Sequence, residues 1–146
     1  TGSMTHTFRY KNIDLSLFFQ TALGYDIFNI HDFYYGTKNF QGNVMDKAYS
    51  KNKIISENPI VCDYFLEPGD YLKLSSVNLG YTLNLKSKYI DAIRLSLTGS
   101  NLFTWTQFSG VDPSTYQVNG LDPGATGSRS YYPSTRQFMI GMQVDF

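Results

Sequence analysis

The sequence predicts an all-β chain whose strands form an antiparallel piece of a transmembrane β-barrel, and three observations carry that prediction. The stretch 136–146 separates cleanly by parity. Phe138, Ile140, Met142, Val144 and Phe146 fall on one face, and Gln137, Met139, Gly141, Gln143 and Asp145 on the other; this is the period of a strand with one apolar and one wet side. The five predicted strands are joined by connections that run short, long, short, long, the spacing of an outer-membrane barrel with tight turns at one end and long loops at the other. Charged residues make up only 16% of the chain and aromatics another 16%, mainly 12 Tyr and 11 Phe, a balance suited to a β-rich wall with interfacial aromatic girdles or to a sugar-contacting surface.

The first strand is expected at about 4–10, with Thr5, Thr7 and Arg9 alternating against Met4, His6, Phe8 and Tyr10. Lys11-Asn12 follows as a two-residue turn in which Asn12 is the natural residue to take positive φ. The second strand, 13–23, sets Ile13, Leu15, Leu17, Phe19 and Leu23 against Asp14, Ser16, Gln20 and Ala22, with Phe18 the exception. From 24 to 70 no period is sustained, so this stretch reads as a long extracellular loop, with a helical turn or two around 44–50.

Alternation returns at Tyr71 and runs to about residue 83. Leu72 and Leu74 are apolar on even numbers, whereas Val77, Leu79, Tyr81 and Leu83 are apolar on odd ones. A parity switch at Ser75-Ser76 predicts a β-bulge. After a short polar connection at 84–91, a fourth strand covers 92–106, with Ile93, Leu95 and Leu97 opposite Arg94, Ser96 and Thr98. A second long loop, 107–133, carries the turn signals Asp112-Pro113 and Asp122-Pro123-Gly124. The fifth strand is 134–146. Its eight steps from Phe138 to Phe146, at ~3.3 Å each and tilted ~40°, rise roughly 20 Å against an apolar band of ~25 Å.

The totals narrow the function classes. Net formal charge is zero, which excludes nucleic acid as the main partner because phosphate binding needs a basic surplus. A single cysteine, Cys62, allows neither a disulfide framework nor a cysteine metal cluster, and reads as a small loop or packing residue. No run approaches the ~18–20 apolar residues of a transmembrane helix, so a membrane would be crossed by strands. Five strands cannot close, since such barrels need at least about eight. The sequence also begins without Met or a signal peptide, so it is expected to be the C-terminal part of a longer barrel.

Several stretches resemble one family. Phe65-Leu66-Glu67-Pro68-Gly69-Asp70-Tyr71-Leu72-Lys73-Leu74 with Val77-Asn78-Leu79-Gly80-Tyr81-Thr82-Leu83 is similar to the F-x-E-D-G-S-Y-L-R-L-x-N-x-x-L-G-Y-x-L stretch of SusC/RagA-type TonB-dependent transporters. Ser100-Asn101-Leu102-Phe103-Thr104-Trp105-Thr106 with Gly110-Val111-Asp112-Pro113 resembles that family's N-L-F-T-x-T-x-x-x-G-x-D-P. Tyr132-Pro133-Ser134-Thr135-Arg136-Gln137-Phe138 resembles its Y-P-x-x-R-x-F, and Arg9-Tyr10-Lys11-Asn12-Ile13-Asp14-Leu15-Ser16 its Y-K-x-F-D-L-S hairpin. Pro68 departs from the commoner Asp and stiffens that turn.

The resemblance implies the last five strands of a plugged barrel of about 22 strands in a bacterial outer membrane of the Bacteroidetes type. It implies TonB-dependent active import of a bulky nutrient, an oligosaccharide (glycan) or a peptide, with this chain supplying barrel wall and extracellular loops. The implied partners are the rest of the barrel and its plug, a SusD-like surface lipoprotein, outer-membrane lipids, and the TonB complex through an N-terminal part outside this sequence. It also implies that Phe146 is a barrel-assembly signal. The alternative reading is a soluble or surface-attached β-sandwich that binds glycans.

No enzyme is predicted: Ser, His and Asp are present without a nucleophile elbow or any other organising motif. No cofactor is expected. His6 and His31 lack ligand spacing, and Asp112 with Asp122, or Glu67 with Asp70, read as turn residues rather than metal-binding carboxylates. The residues expected to contact ligand or partner are the loop tyrosines Tyr25, Tyr34, Tyr35, Tyr116, Tyr131 and Tyr132. Phe103, Trp105, Phe138 and Phe146, with Phe108, are expected as membrane-interface aromatics.

Overall fold

A computed structural model describes residues 1–40, 42–55, 58–85, 87, 89–115 and 132–146. In chain order the strands and helix are β1 (Gly2–Tyr10), β2 (Ile13–Ala22), β3 (Asp26–Phe28), α1 (Ile30–Tyr35), β4 (Leu66–Pro68), β5 (Tyr71–Asn84), β6 (Ala92–Thr106) and β7 (Gln137–Asp145). They fall into two compact units. One comprises Thr1–Ala22, Leu72–Trp105 and Ser134–Phe146; the other comprises Leu23–Tyr71 and Thr106–Pro133.

The first unit is a five-stranded sheet in the order β1-β2-β5-β6-β7. Register in its outer hairpins shows how the two faces are kept apart. Across β1 and β2, Met4 opposes Phe19, His6 opposes Leu17 and Phe8 opposes Leu15 on one side, while Thr7 opposes Ser16 and Arg9 opposes Asp14 on the other. His6 belongs to the apolar side, where its ring packs on Phe8 and Phe19. Across β6 and β7, Ile93 meets Val144, Leu95 meets Met142, Leu97 meets Ile140 and Gly99 meets Phe138; the other side pairs Arg94 with Gln143 and Ser96 with Gly141. The hairpin turn places its left-handed residue at Lys11 (φ 51°) rather than at Asn12. Asn12 instead uses its carbonyl to accept a hydrogen bond from the Thr82 amide of β5 (2.8 Å).

The apolar face is bare. Phe138, Ile140 and Met142 are 70%, 86% and 70% exposed. A sandwich would cover these side chains with a second sheet ~10 Å away; their exposure removes the reason for that alternative. In β5 the faces do turn over, within a bracket that begins at the predicted Ser75-Ser76 switch. Ser75 donates to Gln20, whereas Thr82 accepts from Arg94 and Gly80 lies under the Asp14 carboxylate, all on the polar side. Ser75 and Thr82 have opposite parity, so the turnover lies between residues 75 and 80.

The second unit contains more order than the aperiodic sequence 24–70 predicts. β3 and β4 pair antiparallel, Ile27 opposite Glu67. α1 starts at Asn29, whose side chain accepts from the Asp32 amide, and stops at Gly36. Single 3₁₀ turns occupy Asp46–Ala48, inside the stretch expected to be helical, and Asp63–Phe65. Short elements of this kind bury little apolar surface each, and the core is correspondingly small: Ile27 and Phe108 with Tyr25 against them, and an aromatic group in which Phe65 meets Phe28, Phe33 and Tyr64. Phe108, expected in an interfacial girdle, is 6% exposed and part of this core. Its ring closes over Gly110 and packs with Ile27, a burial that strand alternation could not foretell because Phe108 lies beyond the end of β6.

Candidate functional site

Two features of the molecule carry chemistry, one in each unit. In the sheet, a polar row crosses the strands. Arg94 Nη2 donates to Asp14 Oδ2 at 2.8 Å and Arg94 Nη1 to Thr82 Oγ1 at 3.3 Å. The pair joins β2 to β6 over the intervening β5, where Gly80 leaves room; a Cβ there would stand 2.6 Å from Asp14 Oδ1. Arg9 extends the row onto β1 as the register partner of Asp14, and Gln143 extends it onto β7 as the partner of Arg94. A sheet with charges on one face and bare Phe, Ile and Met on the other separates water from lipid.

In the loop unit, a polar network is buried. Asp32 is fully buried and accepts from Asn52 Nδ2 (2.7 Å) and Lys47 Nζ (3.2 Å). Asn52 also donates to the Gly36 carbonyl and accepts from the Tyr64 hydroxyl. Glu67, expected in a turn, sits in β4. It accepts from the Ser109 amide (2.8 Å), the Ser109 hydroxyl and Asn29 Nδ2 (3.2 Å), and its carboxylate lies 3.7 Å from Lys47 Nζ. Desolvation pushes the Glu67 carboxyl up, but the Ser109 and Asn29 donors and the Lys47 charge outweigh it and hold the carboxyl below its ordinary value. The network ties the first loop to the start of the second through Ser109. Sequence reading missed it because Asn29, Asp32, Lys47, Asn52, Glu67 and Ser109 share no period; the one available signal was Asn29 three residues before Asp32, ahead of Gly36, a helix start and stop.

The remaining turn acids behave as the sequence predicts. Asp70 Oδ1 accepts from the Gly24 amide (2.6 Å), and Asp112 Oδ1 accepts from the amide and hydroxyl of Ser114. Asp122 lies outside the described residues.

Among the described residues, the loop tyrosines are not gathered into one site. Tyr25 packs on the Ile27–Phe108 core with its hydroxyl donating to the Pro113 carbonyl (3.4 Å). Burial, with the negative charges of Asp70 and Asp112 nearby, pushes its phenol up to about 12. Tyr35 is half-buried edge-on to Phe40. Tyr34 borders a cavity of about 240 Å³ lined by Phe33, Phe40, Thr37, Asn39, Asn58 and Pro59. Three aromatic rings beside amides and a hydroxyl suit a ring-shaped or apolar group with a few hydrogen-bonding substituents. Tyr132 is 87% exposed, and Tyr116 and Tyr131 lie outside the described residues. Of the expected interface aromatics, Phe138 sits on the apolar face opposite Gly99, Phe146 is exposed just beyond β7, and Phe103 and Trp105 are stacked neighbours near the end of β6.

No protein-family model matches the chain. Among curated proteins it resembles two TonB-dependent receptors of Formosa agariphila. It is 27% identical to receptor P3 over 168 aligned positions, covering all of this chain and 16% of that protein. It is 28% identical to receptor P26 over 161, covering 97% of this chain and again 16% of the relative. Among solved structures it superposes on the RagAB peptide importer in its closed-closed state with a TM-score of 0.73 at 25% identity, covering 97% of this chain and 17% of that one. The open-open state gives 0.72 at 21% identity, a likeness of fold. The chain thus spans about a sixth of the proteins it matches, and the likeness runs through the wall and the loops alike. In sequence, fold and two-faced sheet the chain is thus similar to a barrel portion of outer-membrane TonB-dependent receptors and of the RagAB importer.

Proposed function

We propose that this chain supplies barrel wall and extracellular loops to an importer that takes a bulky nutrient, an oligosaccharide or a peptide, across the outer membrane at the expense of TonB-transmitted energy. The observation that supports it most directly is the sheet: a bare apolar face backed by a polar row from Arg9 through Asp14 and Arg94 to Gln143. Such a sheet is a wall between lipid and an aqueous lumen, and nothing in it performs bond chemistry. The rest of the barrel, a plug and the TonB contact belong to the remainder of the full protein. A SusD-like lipoprotein fits as the surface partner, by analogy with the two-component RagAB importer. In the loops, the Tyr34 cavity and the exposed Tyr132 are the places for ligand or lipoprotein contact.

The test is uptake. Cells carrying the full-length protein and its lipoprotein should accumulate labelled oligosaccharide or peptide, and cells lacking TonB should not. Equal accumulation in both would exclude energised import.

A further inference from the structure

Near one end of the sheet two strands, β5 and β6, turn their faces over, and the side chains beyond do not lie where simple alternation puts them. In β6, Asn101 takes a left-handed conformation (φ 54°) and donates from Nδ2 to the Thr135 carbonyl. The Leu102 side chain then lies against Gly99, its Cδ2 3.0 Å from where a Gly99 Cβ would be. In an uninterrupted strand, residues three apart face opposite ways. Leu102 therefore shares the apolar side with Gly99, and Phe103 and Trp105 fall on the side of Arg94. In β5 the same turnover puts Lys73 on the polar side with Ser75, and Lys73 Nζ donates to Ser134 Oγ (2.9 Å). On that side Arg136 lies over the Phe103 ring at 5.7 Å, and Phe103 and Trp105 stack with centroids 6.0 Å apart and planes inclined by 26°.

We infer that Phe103, Trp105 and Arg136 form a shelf on the lumen face of the wall, not part of a lipid-facing girdle, and that it binds an acidic oligosaccharide. This rests on the transporter reading above. Phe103 and Trp105 are 55% and 52% exposed, so the shelf offers aromatic surface to a ring face. Arg136 is exposed and places fixed donors beside it for a carboxylate or sulfate; the stretches 97–106 and 132–139 contain no acidic residue.

Two measurements on the full-length protein test this. With Cys62→Ser as background, Trp105→Cys and Ile140→Cys are each labelled with a fluorophore in lipid nanodiscs. The label at 105 should be quenched by aqueous iodide and spared by spin-labelled lipid, and the label at 140 should show the reverse. Lipid quenching at 105 overturns the face assignment; absence of lipid quenching at 140 overturns the barrel reading itself. In calorimetry, hexuronate oligosaccharides should bind the parent protein and lose about tenfold or more in affinity with Arg136→Ala or Trp105→Ala, while Trp105→Phe retains most of it. No hexuronate binding, undiminished binding by the variants, or tighter binding of acidic peptides overturns the ligand assignment.

Discussion

Arg94 reaches Asp14 at 2.8 Å across a strand that separates them, and it does so over Gly80. The two partners are 80 residues apart in sequence, so the contact clamps the β1–β2 hairpin to β6. Gly80→Ala should break the clamp, because the new methyl would meet both the guanidinium and the carboxylate. The methyl meets the far ends of both side chains, which must swing apart and give up their ion pair and hydrogen bond. Thermal unfolding of the full-length protein should show the loss, and Asp14→Ala combined with Gly80→Ala should destabilise by less than the sum of the two single changes. Additive losses would mean the glycine serves something else.

Asp32 holds the loop unit from inside. It is fully buried with Lys47 and Asn52 donating to it, so Asp32→Ala leaves an ammonium and an amide short of their acceptor. Lys47 keeps Glu67 and Ser109 within reach and is partly exposed, so the loss falls chiefly on the buried Asn52 amide, about 1–3 kcal/mol. Limited proteolysis of the full-length variant should nick the loops while the strands stay resistant. Loops that resist protease as the parent does would remove Asp32 from its anchoring role.

Glu67 makes the same unit acid-sensitive. Its folded value lies below the ordinary 4.5, so the folded state binds its proton less readily than the unfolded chain. Its stabilisation is complete above the ordinary value and is lost as pH falls through the lowered folded value. Hydrogen exchange at Ser109, whose amide donates to Glu67, should accelerate relative to its intrinsic rate on acidification into that window, and Glu67→Gln should flatten the dependence.

Much of the wall was legible in the sequence because a sheet with one lipid face and one wet face writes itself as period two. Ile93, Leu95 and Leu97 face Val144, Met142 and Ile140 as their parity requires, and even the turnover in β5 showed as a parity switch. The turnover in β6 did not show, since Asn101, Leu102 and Phe103 give no periodic clue to a left-handed residue. The loop unit was illegible for a different reason. Its order rests on side-chain hydrogen bonds spanning 15 to 80 residues, Lys47 to Asp32 and Asn29 to Ser109 among them, and such pairings leave no local pattern. Tyrosine count suggested a contact surface, yet Tyr25 is spent in the core.

Adjacent residues of β7 offer the sharpest test of the wall. Ile140 pairs with Leu97 on the bare apolar face, and Met139 pairs with Thr98 on the polar one. If the first face meets lipid and the second meets water, the same cation should act oppositely at the two positions. An arginine at the lipid face costs about 2–4 kcal/mol near the bilayer midplane and far less at a lumen position. Ile140→Arg should therefore lower the amount of folded full-length protein recovered from the outer membrane, while Met139→Arg inserts as the parent does. Heat-modifiable gel mobility of membrane fractions reads both variants side by side. Equal loss at both positions, or a loss confined to Met139→Arg, would mean that the faces are not divided between lipid and lumen in this way.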